Sequence, residues 1–343
     1  MHIVREEILG IHWQCNYDLG VNDLLRIRNF TVELPTPLGW VRPVNDVSIR
    51  IAKGESVGLV GESGSGKTML SLALMGLLPV GARLSGEAVL STVPSGPNKN
   101  LANLNGAEWR AVRGRDIAMI FQEPMTSLNP VMRIGSQIEE AIVAHESGIS
   151  GGDLNRRVLD ALEHASMPEP EIRAKQYPHL LSGGLRQRVM IAMALAGSPK
   201  VLIADEPTTA LDVTVQQQIL ELLDRLRREM ELGLLFITHD LGVVAKVAER
   251  IAVMYAGRII EEGSTTDVLT TPKHPYTQGL LAASPSLRRA KLSPIPGAVP
   301  QLNALPPGCS FGPRCSFHRA ECDAGIPELR LTNQGQSARC VLV

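Results

Sequence analysis

Apolar and polar positions alternate along LLRIRNFTVEL (24–34), the period-two pattern of a half-buried strand. VNDVSIRIAKGESVGLVG (44–61) continues that alternation to a turn at Lys53-Gly54 and then becomes a short apolar run. This predicts one strand followed by a second, fully buried one. From Lys67, KTMLSLALMGLL reads as a helix. Residues 91–107 are rich in Ser, Pro, Asn and Gly and are expected to form a surface loop. DIAMIFQ (116–122) reads as a strand, and from about 130 to 180 the pattern turns helical. VLIADEP (201–207) is an apolar strand ending in acids. The helix over 214–230 gathers Ile219, Leu222, Leu223 and Leu226 on one face. LGLLFITHD and RIAVMYAGRII each read as one strand. Strands alternating with helices predict an α/β core built on a mainly parallel sheet. After about 268 the composition shifts to Pro, Ser and Gly and then to Cys, which marks an appended tail.

Residues 1–20 show no period. They are expected to be a disordered leader outside the natural product, with the folded chain starting near Val21. VREE stands near the start, where a signal peptide would place a basic and then an apolar run. The longest apolar runs, MLSLALMGLLPV (69–80) and VMIAMALAG (189–197), fall short of the ~20 residues that cross a bilayer. A formal net charge of −1 over 343 residues gives no basic field for nucleic acid or an anionic membrane. The RLRRE run (225–229) is then the solvated face of a helix. These features predict a soluble, cytoplasmic protein. Thiols stay reduced there, so clustered cysteines favour a metal over disulfides.

GESGSGKT comprises Gly61, Glu62, Ser63, Gly64, Ser65, Gly66, Lys67 and Thr68, and lies between a predicted strand and a predicted helix. It fits the phosphate-loop pattern: glycines let backbone amides curl round phosphates, and the following helix points its positive end at the anion. Lys67 is expected to reach the β- and γ-phosphates, and Thr68 to hold Mg²⁺ through its hydroxyl. Asp205, ending a buried strand, is expected to bind the same Mg²⁺. Glu206, one residue on, is the candidate to polarise an attacking water.

LSGGLRQR (181–188) adds a second anion-binding helix start, with Ser182, Gly183 and Gly184. With this motif the chain resembles the ATP-binding subunits of ABC transporters. It is most similar to those of bacterial oligopeptide, dipeptide and nickel importers, over about residues 24 to 340. The resemblance implies a P-loop ATPase domain over 21–267 with a helical subdomain at about 130–190, and a small C-terminal domain over 268–343. It implies that the LSGG helix of one subunit closes on ATP held by another, sandwiching two ATP in a head-to-tail dimer. Gln122 of FQEPMTSLNP matches the loop that senses the γ-phosphate, joins the Mg²⁺ site and contacts membrane subunits. ALD (210–212) matches the loop that crosses the dimer interface, and His239 of ITHD matches the histidine that bonds the γ-phosphate. Thr68 stands where Ser is also common, and Leu185 where Met is frequent; neither change removes the chemistry. Trp40 is the candidate to stack on adenine, although the family count lands nearer Leu38, and plain packing is its other reading. HPYT (274–277) and the tail that follows narrow the likeness to the peptide/nickel branch.

The partners so implied are a second ATPase subunit, identical or sister, two transmembrane permeases, and indirectly an extracytoplasmic solute-binding protein. The chain would then lie peripherally on the cytoplasmic face of the cell membrane. The motifs are shared by importers of several solutes and do not select a cargo. An ABC ATPase acting on DNA or ribosomes is disfavoured by a single cassette with no heptads and no basic excess. A merely structural partner is disfavoured by the complete motif set.

Cys309, Cys315, Cys322 and Cys340 follow a C-x5-C-x6-C spacing with the fourth 18 residues later, while Cys15 stands apart. The spacing lacks the C-x-x-C knuckles of zinc ribbons. Four thiolates are the ligand set of a [4Fe–4S] cluster. The resemblance implies such a cluster, since related tails share the spacing. Zinc and four free thiols are the other readings.

Overall fold

The computed structural model describes residues 22–91, 98–146, 148–209, 211–284, 293–332 and 335–343. The proposed leader, Cys15 and Ala210 lie outside them.

Two sheets organise the described chain. The first is antiparallel, in the order β2-β1-β4-β5, and is made by β1 (Asp23–Thr36), β2 (Gly39–Ala52), β4 (Arg83–Leu90) and β5 (Lys99–Asn100). The second joins β3 (Ser56–Val60), β6 (Ile117–Ile120), β7 (Val201–Asp205), β8 (Gly233–Thr238), β9 (Arg250–Tyr255), β10 (Arg258–Ser264), β11 (Arg330–Leu331) and β12 (Ser337–Ala338). Its order is β11-β12-β10-β9-β3-β8-β7-β6. The five strands from β9 to β6 are parallel, as the alternation of strands with helices predicts. The others are antiparallel.

The helices are α1 (Lys67–Leu74), α2 (Gly106–Val112), α3 (Pro124–Ser127), α4 (Ile134–Val143), α5 (Gly151–His164), α6 (Pro170–Arg173), α7 (Gly183–Leu195), α8 (Val213–Glu229), α9 (Leu241–Val247), α10 (Thr265–Thr270) and α11 (Pro275–Ala283). Three of them, α4 to α6, lie in the stretch of about 130 to 180 expected to be helical, and α7 follows it. Side chains on one strand point alternately to opposite faces, and this splits the core in two. On β8, Leu234 and Phe236 join the cluster containing Ile138, Leu162 and Ile191 of the helical region. Leu235 and Ile237 face the other cluster, with Leu25, Phe30 and Ile49 of the antiparallel sheet and Leu70 of α1. The predicted face of α8 is buried at Ile219, Leu222, Leu223 and Leu226.

Two expectations are corrected. RIAVMYAGRII is not one strand: Ala256 (φ 45°) and Gly257 (φ 84°) turn it into the β9–β10 hairpin. A left-handed pair makes a tight turn between antiparallel strands. The stretch 91–107 is not all loop, because β5, a 3₁₀ turn at Leu101–Asn103 and the start of α2 lie in it. Asn105 and Glu108 begin α2 with a reciprocal capping box. In the tail, β12 pairs with β10 at Glu261↔Ala338 and Glu262↔Ser337, extending the main sheet.

Candidate active site

The parallel strands end in the loops that carry the chemistry. β3 runs into the glycine loop, and α1 begins at Lys67. Gly66 sits at φ 108°, and a Cβ there would stand 2.0 Å from the Pro43 carbonyl oxygen. Both facts demand glycine. No side chain caps the first turn of α1, so its amides are left for an anion. The buried Lys67 ammonium donates to the carbonyls of Gly61 (2.7 Å) and Glu62 (3.0 Å). Burial pulls its pKa below the usual lysine range, and Glu206, Asp205 and Glu62 partly offset this.

β7 delivers Asp205 beside α1. Its Oδ2 accepts from the Ser71 hydroxyl at 3.2 Å, while Oδ1 is buried with no hydrogen-bond partner. Burial raises the Asp205 carboxyl, and hydroxyl bonds from Thr68 and Ser71 partly hold it down. Glu206 follows at φ 47°, with its amide bonded to the Ile237 carbonyl of β8 at 2.9 Å. Its Oε1 lies 2.9 Å from His239 Nδ1. Its Oε2 accepts from Thr209 Oγ1 at 2.9 Å and from Gln122 Nε2 at 3.2 Å. Burial alone would raise the Glu206 carboxyl. The bonds from His239 and Thr209, with the charges of His239 and Lys67, outweigh it and hold the group below the usual range. A carboxylate kept ionised beside a phosphate cradle can accept a proton from water.

The structure therefore brings together Lys67, Thr68, Asp205, Glu206, Gln122 and His239. It does not bring Ser182 to them. Ser182 caps α7, where its hydroxyl accepts the Leu185 amide at 3.5 Å, and among the described residues it makes no hydrogen bond to the glycine loop. A Cβ on Gly184 would stand 2.5 Å from Val215 Cγ1 of α8, and one on Gly183 3.4 Å from Leu211 Cδ2, so this helix start packs against Leu211 and the first turn of α8. Trp40 is 45% exposed on the β1–β2 hairpin, with the Arg83 guanidinium 4.0 Å from its ring centroid. Sequence reasoning missed Ser71 and Thr209. Ser71 follows Lys67 at i+4, a helical spacing that places it on the same face; Thr209 is three residues past Glu206.

The four tail cysteines line one cavity together with His274, Pro275, Phe311 and Phe317. They are free thiols, and burial raises those of Cys309, Cys315 and Cys340. Among the described residues no group of three or more His, Cys, Asp or Glu is arranged to hold a metal ion. The four thiols nonetheless share one cavity.

Residues 44–209 match the ABC transporter family, and residues 260–322 match the oligopeptide/dipeptide transporter C-terminal region. The dipeptide transport ATP-binding protein DppD of Bacillus subtilis is 45% identical over 322 residues, covering 93% of this chain and 94% of that protein. A Brucella ovis protein provisionally named a peptide import ATP-binding protein is 48% identical over 328 residues, covering 93% and 96%. Among solved structures, a dimer of the ATP-binding cassette MJ0796 in a post-hydrolysis state with ADP and Pi aligns with a TM-score of 0.61. It is 30% identical over 70% of this chain and 98% of that one. The chain belongs to the ABC transporter family of ATP-binding subunits, in the branch that carries the oligopeptide/dipeptide C-terminal region. It is an ATP-hydrolysing transporter subunit. No described helix is long and apolar enough to cross a membrane.

Proposed function

We propose that this chain powers the import of peptides through two partner permeases, from the cytoplasmic face of the membrane. Its relatives named for peptide and dipeptide transport, and its C-terminal region, support that cargo over nickel. The observation that carries the reading is the convergence of Gln122, Thr209 and His239 on the Glu206 carboxylate.

In this reading Gly61, Glu62, Ser63, Gly64, Ser65, Gly66 and Lys67 bind the ATP phosphates. Thr68, Asp205 and Gln122 hold Mg²⁺, and the unpartnered Asp205 Oδ1 fits that role. The ion would neutralise charge on the phosphate oxygens. Glu206 takes a proton from the attacking water, while His239 steadies the carboxylate and meets the γ-phosphate. Ser182, Gly183 and Gly184 bind ATP held by a second subunit. The separation of Ser182 from the glycine loop within one chain supports this, as does the dimeric MJ0796 cassette. Trp40 remains a candidate adenine platform, supported by its exposure.

The tail thiols are proposed to hold one [4Fe–4S] cluster, with Zn²⁺ as the alternative metal. Support lies in the donor set: four soft sulfur ligands around one cavity, walled by Phe311, Phe317 and Pro275. Such a centre would tie a Pro- and Gly-rich segment that has little core of its own.

Co-expression with candidate permeases tests the main reading. It expects the chain to co-purify with two membrane subunits, and peptide with its binding protein to raise ATP hydrolysis. Stimulation by nickel and not by peptide would overturn the cargo assignment. Failure to associate with any permease would overturn the importer reading.

A further inference from the structure

The second residue of the glycine loop poses an electrostatic problem. Glu62 places a carboxylate in a loop whose work is to bind a polyanion, and like charges at close range repel. The structure answers it from far along the chain. Arg314 forms a bidentate pair with Glu62, Nη1 to Oε2 at 2.7 Å and Nη2 to Oε1 at 3.0 Å. The Arg314 side chain is only 5% exposed, and it also donates to the Pro296 carbonyl (2.8 Å) and the Tyr255 hydroxyl (3.3 Å). This planar fork is held by two other contacts beside the carboxylate.

Tyr276 holds the same residue by its backbone: the Glu62 amide donates to the Tyr276 hydroxyl at 2.8 Å. Tyr276 belongs to the HPYT stretch, so that motif acquires a physical task. Its ring packs against Tyr255 (centroids 4.6 Å) and Phe311 (5.4 Å).

Arg314 lies inside the loop between Cys309 and Cys315. That loop is closed by the Gly312 amide on the Cys309 carbonyl (2.8 Å) and the Cys315 amide on the Gly312 carbonyl (3.1 Å). His274 and Pro275, adjacent to Tyr276, line the cysteine cavity, as does Phe311. The segment that shapes the cysteine site is therefore the segment that presents the guanidinium to the glycine loop.

We infer that Arg314 and Tyr276 are positioning residues for ATP binding: the C-terminal tail neutralises Glu62 and anchors its backbone, making the tail a structural part of the phosphate loop. The conformation of the Cys309–Cys315 loop sets the affinity for nucleotide through this contact. The inference rests on ATP binding at the glycine loop, and not on the cargo, on the permeases or on what the thiols hold.

The test is a double-mutant cycle on the equilibrium Kd for MgATP of the purified full chain. R314M leaves the Glu62 charge unpaired and is expected to raise Kd about tenfold. E62Q removes that charge and is the reference against which the double variant is read. The E62Q/R314M double variant is expected to regain most of the affinity lost in R314M. A purely structural tail would lose stability on R314M without any rescue by E62Q. Should R314M fail to fold, R314K replaces it, keeping the charge and losing the fork; its smaller rise in Kd must also be relieved by E62Q. A folded R314M or R314K variant with wild-type Kd, or a raised Kd that E62Q does not relieve, overturns the proposal.

Discussion

The Nδ1 atom of His274 accepts the Tyr276 amide at 3.0 Å, capping α11 with a side chain that is 1% exposed. Burial drives its pKa down from the ordinary histidine value to about 3. A histidine that must stay neutral when folded, yet charges when unfolded, makes folding pH-dependent. Its stabilising contribution is complete above the unfolded value of 6.5 and is lost as pH falls from there toward 3. Between pH 7 and pH 5 the wild type is expected to lose about 2 kcal/mol from this group. His274→Asn keeps a capping acceptor and removes the titration. Denaturant unfolding at the two pH values should show a smaller pH-dependent loss in this variant. An unchanged loss would mean that His274 is not the group responsible.

Ser182 begins α7 and bonds only its own helix among the described residues. In the proposed dimer it meets nucleotide across the interface. Ser182→Arg should therefore leave MgATP binding to the isolated chain within about threefold of the wild type. Turnover should fall by at least a hundredfold, on the order of what loss of one transition-state donor costs. Wild-type turnover would show that this helix takes no part in a composite site.

The four cysteines around one cavity give a compositional prediction. Protein purified without oxygen should be coloured and carry about four iron atoms per chain. Cys315→Ser should bleach it and open the tail to proteolysis. Colourless protein with one zinc would replace iron in the account. Metal-free protein with four titratable thiols would remove the metal site altogether.

The ATP motifs were legible in the sequence because each packs its chemistry into a short contiguous run. Lys67 needs only its own loop, and Asp205 with Glu206 needs only the end of one strand. The predicted strands also fell in place wherever alternation or a buried run was long. What was hidden depends on distant pairing. The Arg314–Glu62 contact spans 252 residues, and nothing near either residue announces the other. The β9–β10 hairpin was masked by apolar residues running on through the Ala256-Gly257 turn. Ser337 and Ala338 of the tail pair with the main sheet through backbone bonds, for which composition gives no signal. HPYT was visible as a mark of the branch, but its bond to the glycine loop appears only once Tyr276 is seen beside Glu62.

We propose that Glu206 performs the chemistry on ATP held by the glycine loop. Glu206→Gln keeps the size and most hydrogen-bonding capacity of the side chain and removes the base. Paired measurement of MgATP Kd and steady-state hydrolysis on this variant tests the claim most directly. Affinity should stay within about threefold of the wild type, while hydrolysis falls by at least a hundredfold. Hydrolysis near the wild-type rate, with ATP still bound, would contradict it.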